Sequence, residues 1–435
     1  MIRITAIVAP LLALMLVALP ARAVDVVEAT SPGGTTFWMV SEPSIPIVAI
    51  EMTFKGGARL DPADRPGLSR ITAALLDEGA GELDAAAFAK RKDDLAARFS
   101  ISVGRDGTRV SAQMLVETAQ ASAELIAQAL GQPRFDDDAI ERVRSQLLSA
   151  LREQETQPGS VAGKAWSARA FPDHPYGRPT DGTLESVAAI TRDEILAAHQ
   201  RLLTTANLYV SVVGAVDADT AGRLIDTLLA DIPEGTALSD PEPAPIPAPG
   251  LEILDLDVPQ SVAIFGQRGI ARDDPDFFPA YVMNHILGGG GFSARLMTEV
   301  REKRGLAYSV YSYLSERDAI PLLLGSVQTE NARMAESISV IRDEWARLAS
   351  DGVSDTELEN AKRYLTGSFP LSLDSNAKIA RFLLTMQEED LGIDYLDRRN
   401  GYVEAVTSAD ISRVAAELLD AEELAIVVVG RPAGL

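Results

Sequence analysis

The 435-residue sequence contains no cysteine. Disulfide bonds therefore hold no part of the fold, and a lipid anchor on a processed cysteine is excluded. Low-complexity segments are absent as well, and a hydrophobic content of 46% with 24% charged residues is that of a globular protein. Apolar burial alone must stabilise the fold, and the chain is long enough for two cores of about 200 residues each.

Positive charge is in short supply. Lysine and arginine number 40 against 63 aspartates and glutamates, which gives a net charge of -23. A surface this acidic repels phosphate backbones and anionic lipids, so nucleic acid and membrane surfaces are poor partners. Solubility is a sufficient explanation for the excess of acidic residues, so the net charge identifies no substrate.

The longest apolar stretch runs from Ala6 to Leu19 and is too short to span a bilayer. Arg3 precedes it, and the small-residue stretch 21–23 follows, a pattern typical of a cleavable signal peptide over residues 1–23. A membrane-anchoring helix is the alternative. Cleavage would make the net charge -25, because Arg3 and Arg22 leave with the signal. We expect the mature chain in the periplasm of a Gram-negative cell.

A proline-rich segment divides the chain. Every second residue from Pro241 to Pro249 is proline, which removes backbone donors and favours an extended, semi-rigid conformation. The sequence therefore predicts an N-terminal domain over residues 24–235, a linker over 236–250 and a C-terminal domain over 251–435.

The two halves end alike. Residues 189–214 and 405–430 align without a gap at a constant offset of 216. Thr191 and Thr407 are the natural N-caps of helices in the two segments, and each segment closes on a valine-rich strand. The match indicates a duplication.

The halves also begin alike, with a strand of period two, an Asp-Pro turn, a helix that ends in glycine, a longer helix and a hairpin. The paired segments are strands 48–54 and 262–265, helices 66–79 and 279–288, and hairpin turns 104–107 and 316–319. This order predicts an α+β fold of two homologous α/β sandwich domains, each an antiparallel-rich sheet with helices on one face.

The order of elements resembles the pitrilysin-type (inverzincin) metallopeptidases, in particular short two-domain chains related to mitochondrial processing peptidase. The resemblance implies a clam-like arrangement and, in active members, an H-x-x-E-H zinc motif on the first-domain helix. Here the motif positions fall on Arg70, Ala73 and Ala74. Arginine repels a divalent metal and alanine has no donor atom, so these residues cannot hold zinc.

No other residue restores the metal site. The resemblance aligns the third ligand, a glutamate, to Val143, although a shifted alignment would bring Glu141 there. One glutamate cannot replace two histidines. The three histidines, His174, His199 and His285, have no second ligand at a suitable spacing, so we interpret them as ordinary polar or packing residues.

Residues 287–314 closely resemble the second-domain signature of the family. In active relatives an arginine, and a tyrosine seven residues later, complete the active site; here they are Arg301 and Tyr308. The residues themselves fit this role: Ser293 can cap a helix that runs to about Arg304, and Tyr308 opens a strand, so both donors would lie at one edge. They could grip a peptide carbonyl or a C-terminal carboxylate. The alternative is a solvated arginine and a packed tyrosine.

Four consecutive glycines, Gly288, Gly289, Gly290 and Gly291, precede this segment. Such a stretch is expected to be mobile and lets a substrate chain approach closely. Non-catalytic processing subunits of the family use a glycine-rich loop there to handle substrate. A helix C-cap followed by a loose turn is the alternative.

The sequence thus predicts a non-catalytic, substrate-binding subunit that supplies Arg301 and Tyr308 to an H-x-x-E-H homologue, with zinc in that partner and none in this chain. A peptide substrate would add to a sheet edge. A structural scaffold, a stand-alone peptide-binding protein and a self-sufficient peptidase with new ligands are the alternatives.

Overall fold

The computed structural model describes residues 25–435, so the predicted signal peptide lies outside the described residues. The strands before the proline-rich segment are β1 (Val27–Thr30), β2 (Thr36–Ser41), β3 (Ile47–Lys55), β4 (Gly79–Ala80), β5 (Leu83–Asp84), β6 (Arg98–Val103), β7 (Gly107–Leu115) and β8 (Leu208–Gly214). The helices there are α1 (Leu68–Ala74), α2 (Ala85–Asp94), α3 (Ala119–Gly131), α4 (Asp137–Thr156), α5 (Pro158–Ala170), α6 (Leu184–Ala189), α7 (Arg192–Leu202) and α8 (Ala218–Leu229).

No helix or strand occurs between α8 and Gly250 in the described chain. The strands that follow are β9 (Gly250–Leu254), β10 (Gln260–Arg268), β11 (Ala307–Ser315), β12 (Leu322–Glu330) and β13 (Ala425–Val429). The helices are α9 (Phe277–Asn284), α10 (Met334–Asp351), α11 (Asp355–Ser368), α12 (Asn376–Glu388), α13 (Tyr395–Ala405) and α14 (Ser408–Leu418). None of the helices within residues 25–435 is both long and apolar enough to cross a bilayer.

Two mixed sheets form the framework. The first has the order β1-β2-β8-β3-β7-β6, and the second has the order β11-β12-β10-β13-β9. Only the pairs β2 with β8 and β9 with β13 are parallel. The predicted α+β class with antiparallel-rich sheets is confirmed.

The period-two strand predicted near the start of the chain is β3. Val48, Ile50, Met52 and Phe54 are fully buried and pack against the helices of the first half. Alternation places residues such as Ala49 on the opposite face of the sheet. One strand therefore contributes to two separate hydrophobic clusters.

The second face of each sheet is covered by a helix from the other half. Trp166 of α5 is 3% exposed, packs on the second sheet and donates from Nε1 to the carbonyl oxygen of Ala425 at 2.9 Å. On the first sheet, Leu383 and Met386 of α12 are buried, and Ser211 Oγ donates to the carbonyl oxygen of Ala380 at 2.7 Å. Each sheet therefore has the predicted helices on one face and a helix from the other half on its second face. This exchange buries apolar strand residues that solvent would otherwise contact.

The exchange follows the duplication. The offset of 216 places the counterpart of α5 at residues 374–386, a range that α12 largely covers. Thr191 and Thr407 each accept a hydrogen bond from the backbone N–H three residues later, and both form complete capping boxes. The predicted N-caps are confirmed.

The helix predicted over 66–79 was too long, because it ends at Ala74. The helix predicted over 279–288 is present from Phe277 to Gly289, with a π-helical turn after Asn284. At Gly288 the backbone passes so close to β11 that an added Cβ would lie 2.3 Å from Ser312 Oγ. The sequence pattern does not encode such a close approach, because it depends on a strand more than twenty residues away.

Candidate functional site

The helix that would carry the zinc motif has no metal donors. Arg70 on α1 is directed to Asp181, with Nε 3.5 Å from Oδ1. Ala73 is 3% exposed, and Ala74 is packed against the first core. Val143 on α4 is 2% exposed in the same core. An ion pair and apolar packing occupy the positions of the ligands, and these side chains do not fit a zinc ion.

The neighbouring glutamate is no substitute. Glu141 accepts a hydrogen bond from Arg144 one turn along α4. Among residues 25–435, no cluster of three or more histidine, cysteine, aspartate or glutamate side chains could hold a metal ion. The chain therefore offers no described alternative to the lost motif.

The three histidines make local contacts. His174 Nδ1 accepts from the backbone N–H of Tyr176 at 3.1 Å, and His199 Nε2 lies 2.6 Å from the carbonyl oxygen of Leu130. The ring of His285 stacks on Tyr364 with centroids 5.1 Å apart. Burial lowers the pKa of both His199 and His285. These environments agree with the interpretation of the histidines as packing and turn residues.

Arg301 lies on a π-helical segment, Met297–Glu302. Ser293, predicted as its N-cap, instead donates from Oγ to the carbonyl oxygen of Gly290 at 2.8 Å, and the helix ends two residues before Arg304. Ser293 belongs to a short 3-10 turn that follows the four glycines. The chain therefore enters the helix in a different direction from the one that an N-cap serine requires. The predicted cap is wrong.

A buried carboxylate fixes this segment. Glu299 is 7% exposed and accepts from Lys303 Nζ at 2.6 Å, from Arg304 Nη1 at 2.7 Å and from Arg347 Nη2 at 3.4 Å. Burial by itself would raise the pKa of Glu299, but the hydrogen bonds from Lys303 and Arg304 outweigh it and lower the pKa to about 2. The helix that carries Arg301 is anchored by charge-assisted hydrogen bonds on its inner side.

Gly305 reverses the chain after this helix. With φ at 61°, it donates to the carbonyl oxygen of Arg301 at 2.8 Å, while Leu306 donates to that of Val300 at 2.8 Å. The following strand, β11, has a bulge between Ala307 and Ser309. The bulge leaves Tyr308 outside the pairing register and 80% exposed.

Arg301 and Tyr308 meet as predicted, and Phe292 joins them. The guanidinium carbon of Arg301 lies 4.8 Å from the ring centroid of Tyr308 and 4.6 Å from that of Phe292. Its guanidinium forms no ion pair or hydrogen bond with any residue of the described chain. Two rings thus hold a cation whose donors are free.

Arg301 and Tyr308 line a groove of about 700 Å³ beside the outer strand β11. Gln260 and Gln328 also line it, as does Arg333, whose Nε lies 3.4 Å from Glu330 Oε2. Since Glu330 pairs with Arg333, Arg301 is the cation in this groove without an anionic partner among residues 25–435. Sequence reasoning missed Phe292, and its only signal in the sequence is an aromatic residue directly after the four glycines.

The four consecutive glycines differ in their surroundings and in their backbone conformation. Gly288 is buried against Ser312, and a Cβ on Gly290 would lie 2.7 Å from the carbonyl oxygen of His285. Gly291 has φ at 58° with open space around it. Packing therefore explains Gly288 and Gly290, whereas Gly291 lies at the surface immediately before Phe292.

A second cavity, of about 1040 Å³, lies where the hairpin turns of the two halves meet the C-terminal end of α12. Several carboxylates line it, among them Glu316, Asp318, Glu388 and Glu389. Burial and the neighbouring carboxylates raise the pKa of Glu389 to about 7, although Arg272 opposes the shift. Arg109 of β7 reaches across to Glu388 with a 3.3 Å contact that joins the two halves.

Two family models match the chain. Residues 36–184 match the model described as insulinase (peptidase family M16), and residues 189–365 match the model described as peptidase M16 inactive domain. A protein of Helicobacter pylori described as non-peptidase homolog YmxG is 27% identical over 303 residues, 69% of this chain and 70% of that protein. An uncharacterized zinc protease of Mycobacterium leprae is 30% identical over 297 residues, 66% of each chain.

A solved structure is similar over almost the whole chain. The crystal structure described as peptidase M16 inactive domain from Pseudomonas fluorescens has a TM-score of 0.89 and 29% identity, and the match covers 94% of this chain and 98% of that one. A chain of complex III2 from Candida albicans matches with a TM-score of 0.76 at 18% identity over 93% of this chain and 95% of that one. The second likeness shows the fold alone.

Proposed function

The chain belongs to the M16 peptidase family, as the resemblance implied, and on that premise we propose that it is the non-catalytic, substrate-binding subunit of a periplasmic two-chain zinc metallopeptidase. The observation that carries the proposal is a contrast between two parts of one chain. The zinc-motif positions hold Arg70, Ala73 and Ala74, whereas Arg301 keeps a free guanidinium between two exposed rings. The motif positions lack metal donors, whereas Arg301 offers donors to a substrate.

Arg301 and Tyr308 act on the peptide in this proposal. A guanidinium donates two parallel hydrogen bonds, and a phenol donates one, so together they can hold a peptide carbonyl and stabilise the negative charge that develops on it. Zinc belongs to the partner, held by its H-x-x-E-H motif. The similarity to a protein described as a non-peptidase homolog supports the assignment of this chain as the partner that does not hold the metal.

The peptide would extend along β11. This strand is the outer member of the second sheet, so one of its edges has no strand beside it in the described chain. An added peptide strand can pair there, while side chains on the exposed face of β11, such as Tyr308 and Tyr311, contact it. Phe292, which follows the glycines, contacts Arg301 from the helix side, and substrate handling by the four glycines is part of the proposal.

Peptidase activity and zinc content of two preparations test the proposal: the mature chain alone, and the chain mixed with an H-x-x-E-H homologue from the same cell. We expect activity and zinc in the mixture and neither in the chain alone. Arg301→Ala and Tyr308→Phe should each reduce the activity of the complex by about tenfold to a thousandfold. Arg398→Ala removes a guanidinium from a surface pair with Asp394 and serves as the matched control.

Each alternative gives a different result. Full activity of the complex with Arg301→Ala and Tyr308→Phe would make the chain a scaffold. Zinc-dependent cleavage by the chain alone would contradict the proposal and require an undescribed metal site. Peptide binding by a stable monomer that never associates with the homologue would indicate a stand-alone peptide-binding protein.

A further inference from the structure

A small pocket of about 270 Å³ lies among α4, α5 and residues 177–181. Three cationic side chains line it: Arg105, Lys164 and Arg178. Asp181 is the acidic residue in its wall. In a chain with a net charge of -23, a pocket with three cations and one carboxylate is an exception that needs a physical explanation.

The two arginines are held by neutral groups. Arg105 Nη1 donates to the carbonyl oxygen of Arg178 at 3.2 Å, and Arg178 Nη1 donates to that of Asp61 at 2.6 Å. Neither arginine forms an ion pair within residues 25–435, and Lys164 forms none there either. Burial lowers the pKa of Arg178 and lowers that of Arg105 to about 10. Burial outweighs the nearby charges of Asp61 and Asp106, so both arginines carry a desolvation cost that an incoming anion would offset.

Asp181 does not neutralise them. Its Oδ1 lies 3.5 Å from Arg70 Nε, and its Oδ2 accepts from Gln154 Nε2 at 3.2 Å. Each carboxylate oxygen therefore has a partner other than the three cations. Arg70, at the first position of the zinc motif, pairs with Asp181 from outside the pocket lining. The three cations of the lining therefore outnumber its one carboxylate, and the pocket is positive.

We propose that this pocket binds a carboxylate of the polypeptide that the chain holds. The site lies apart from the Arg301 groove, and none of its lining residues is shared with that groove. Guanidinium and ammonium groups are the natural partners of a carboxylate, and the hydroxyl of Ser167 adds a further donor in the wall. The carboxylate is either the C-terminus of the peptide or an aspartate or glutamate side chain. The choice of a peptide ligand rests on the proposed function.

The first experiment tests the anion site without a peptide. Glutarate at millimolar concentrations should raise the melting temperature of the mature chain, because it binds the folded state alone. Lys164→Gln should abolish the rise, and Lys164→Arg, which keeps the charge, should retain it. Lys90→Gln is the matched control, since Lys90 lies on the surface of α2 paired with Asp94. No rise with the unaltered chain, or an equal rise with Lys164→Gln, overturns the pocket as a carboxylate site.

The second experiment identifies the source of the carboxylate. Binding of a fluorescent peptide is compared for the free acid, its C-terminal amide, and a form with each glutamate and aspartate replaced by glutamine and asparagine. Loss of one charged contact should weaken binding about tenfold in one of the altered peptides. The difference should vanish in Lys164→Gln and remain in Lys90→Gln.

The two failures are distinguishable. If glutarate binds as expected and no peptide binds, the proposed function fails and the ligand of the pocket is not a polypeptide. If peptides bind with equal affinity in all three forms, the pocket proposal is wrong and the proposed function stands. The activity of Arg301→Ala in the two-chain complex depends on neither result.

Discussion

The guanidinium carbon of Arg301 lies 4.8 Å from the ring centroid of Tyr308, although seven positions, a glycine reversal and a β-bulge separate the two residues. The Glu299 network anchors the helix that carries the arginine, and the Phe292 ring lies against its guanidinium. Its geometry is therefore set before a substrate arrives, which lowers the cost of ordering the donor at the moment of binding.

Arg301→Lys tests whether the planar fork matters beyond its charge. Lysine keeps the positive charge but cannot stack flat between two rings or donate two parallel hydrogen bonds. We expect kcat/KM of the two-chain complex to fall about tenfold or more, a loss of about 1.4 kcal/mol in transition-state stabilisation. Arg398→Lys on the exposed surface should have no effect. Unchanged kinetics of Arg301→Lys would reduce the role of Arg301 to its charge.

Glu299→Gln tests the anchor of the helix. The side chain is 7% exposed and contacts three cations, so its neutralisation leaves them without their shared anion. Urea unfolding should show a loss of about 3 kcal/mol. Asp374→Asn removes a carboxylate from an exposed pair with Lys378 and should leave the stability almost unchanged. A similar cost for both variants would contradict the structural role of Glu299.

The same carboxylate predicts a pH dependence at low pH. The pKa of Glu299 is lowered to about 2 from the ordinary value of 4.5, so its contribution to stability is present above pH 4.5 and is lost as the pH falls towards 2. The wild-type chain should lose stability over this window more steeply than Glu299→Gln. Parallel curves for the two proteins would show that this contribution is absent.

Glu389→Gln tests the cavity between the halves. The pKa of Glu389 is raised from 4.5 to about 7 by burial first and by Glu316, Asp318 and Glu388 next, against the opposing charge of Arg272. Its ionised form therefore destabilises the fold, and this cost grows as the pH rises from 4.5 through 7. Since the side chain is partly exposed, we expect an effect of about 1 kcal/mol or less.

Thermal unfolding at pH 6 and pH 8 measures this effect. The wild-type melting temperature should be higher at pH 6, and Glu389→Gln should raise the value at pH 8 and reduce the difference. Glu359→Gln, an exposed position on α11, is the matched control and should leave the difference unchanged. A wild-type chain with equal or greater stability at pH 8, or an unchanged pH difference in Glu389→Gln, would contradict the prediction.

The glycines can be separated by substitution. Gly288→Ala places a Cβ 2.3 Å from Ser312 Oγ and 2.5 Å from its backbone nitrogen, so we expect a loss of about 2 kcal/mol or more in unfolding experiments. Gly291→Ala meets no atom within 4 Å and costs about 1 kcal/mol for its positive φ. If Gly291→Ala alone also lowers peptide affinity, the surface glycines handle substrate; if neither variant does, packing and turn geometry explain all four.

Much of the chemistry of the site could be predicted from sequence. The loss of zinc donors at Arg70, Ala73 and Ala74 needs only the identity of each side chain, and the meeting of Arg301 with Tyr308 follows from the helix, glycine and strand between them. Phe292 could not be placed, because its direction depends on the turn that follows Gly291. Ser293 was misassigned for the same reason, since its hydroxyl bonds back to Gly290 instead of capping forward.

The sequence by itself determined the duplication, the capping boxes at Thr191 and Thr407, the alternation of β3 and the absence of a metal motif, because each depends on residues close together in the chain or on one side chain's own chemistry. Tertiary structure alone decided that α5 and α12 cross to the opposite sheets, that Arg70 engages Asp181, and that carboxylates gather around Glu389. These contacts join residues far apart in sequence, and they form only where packing of the two sheets brings them within reach.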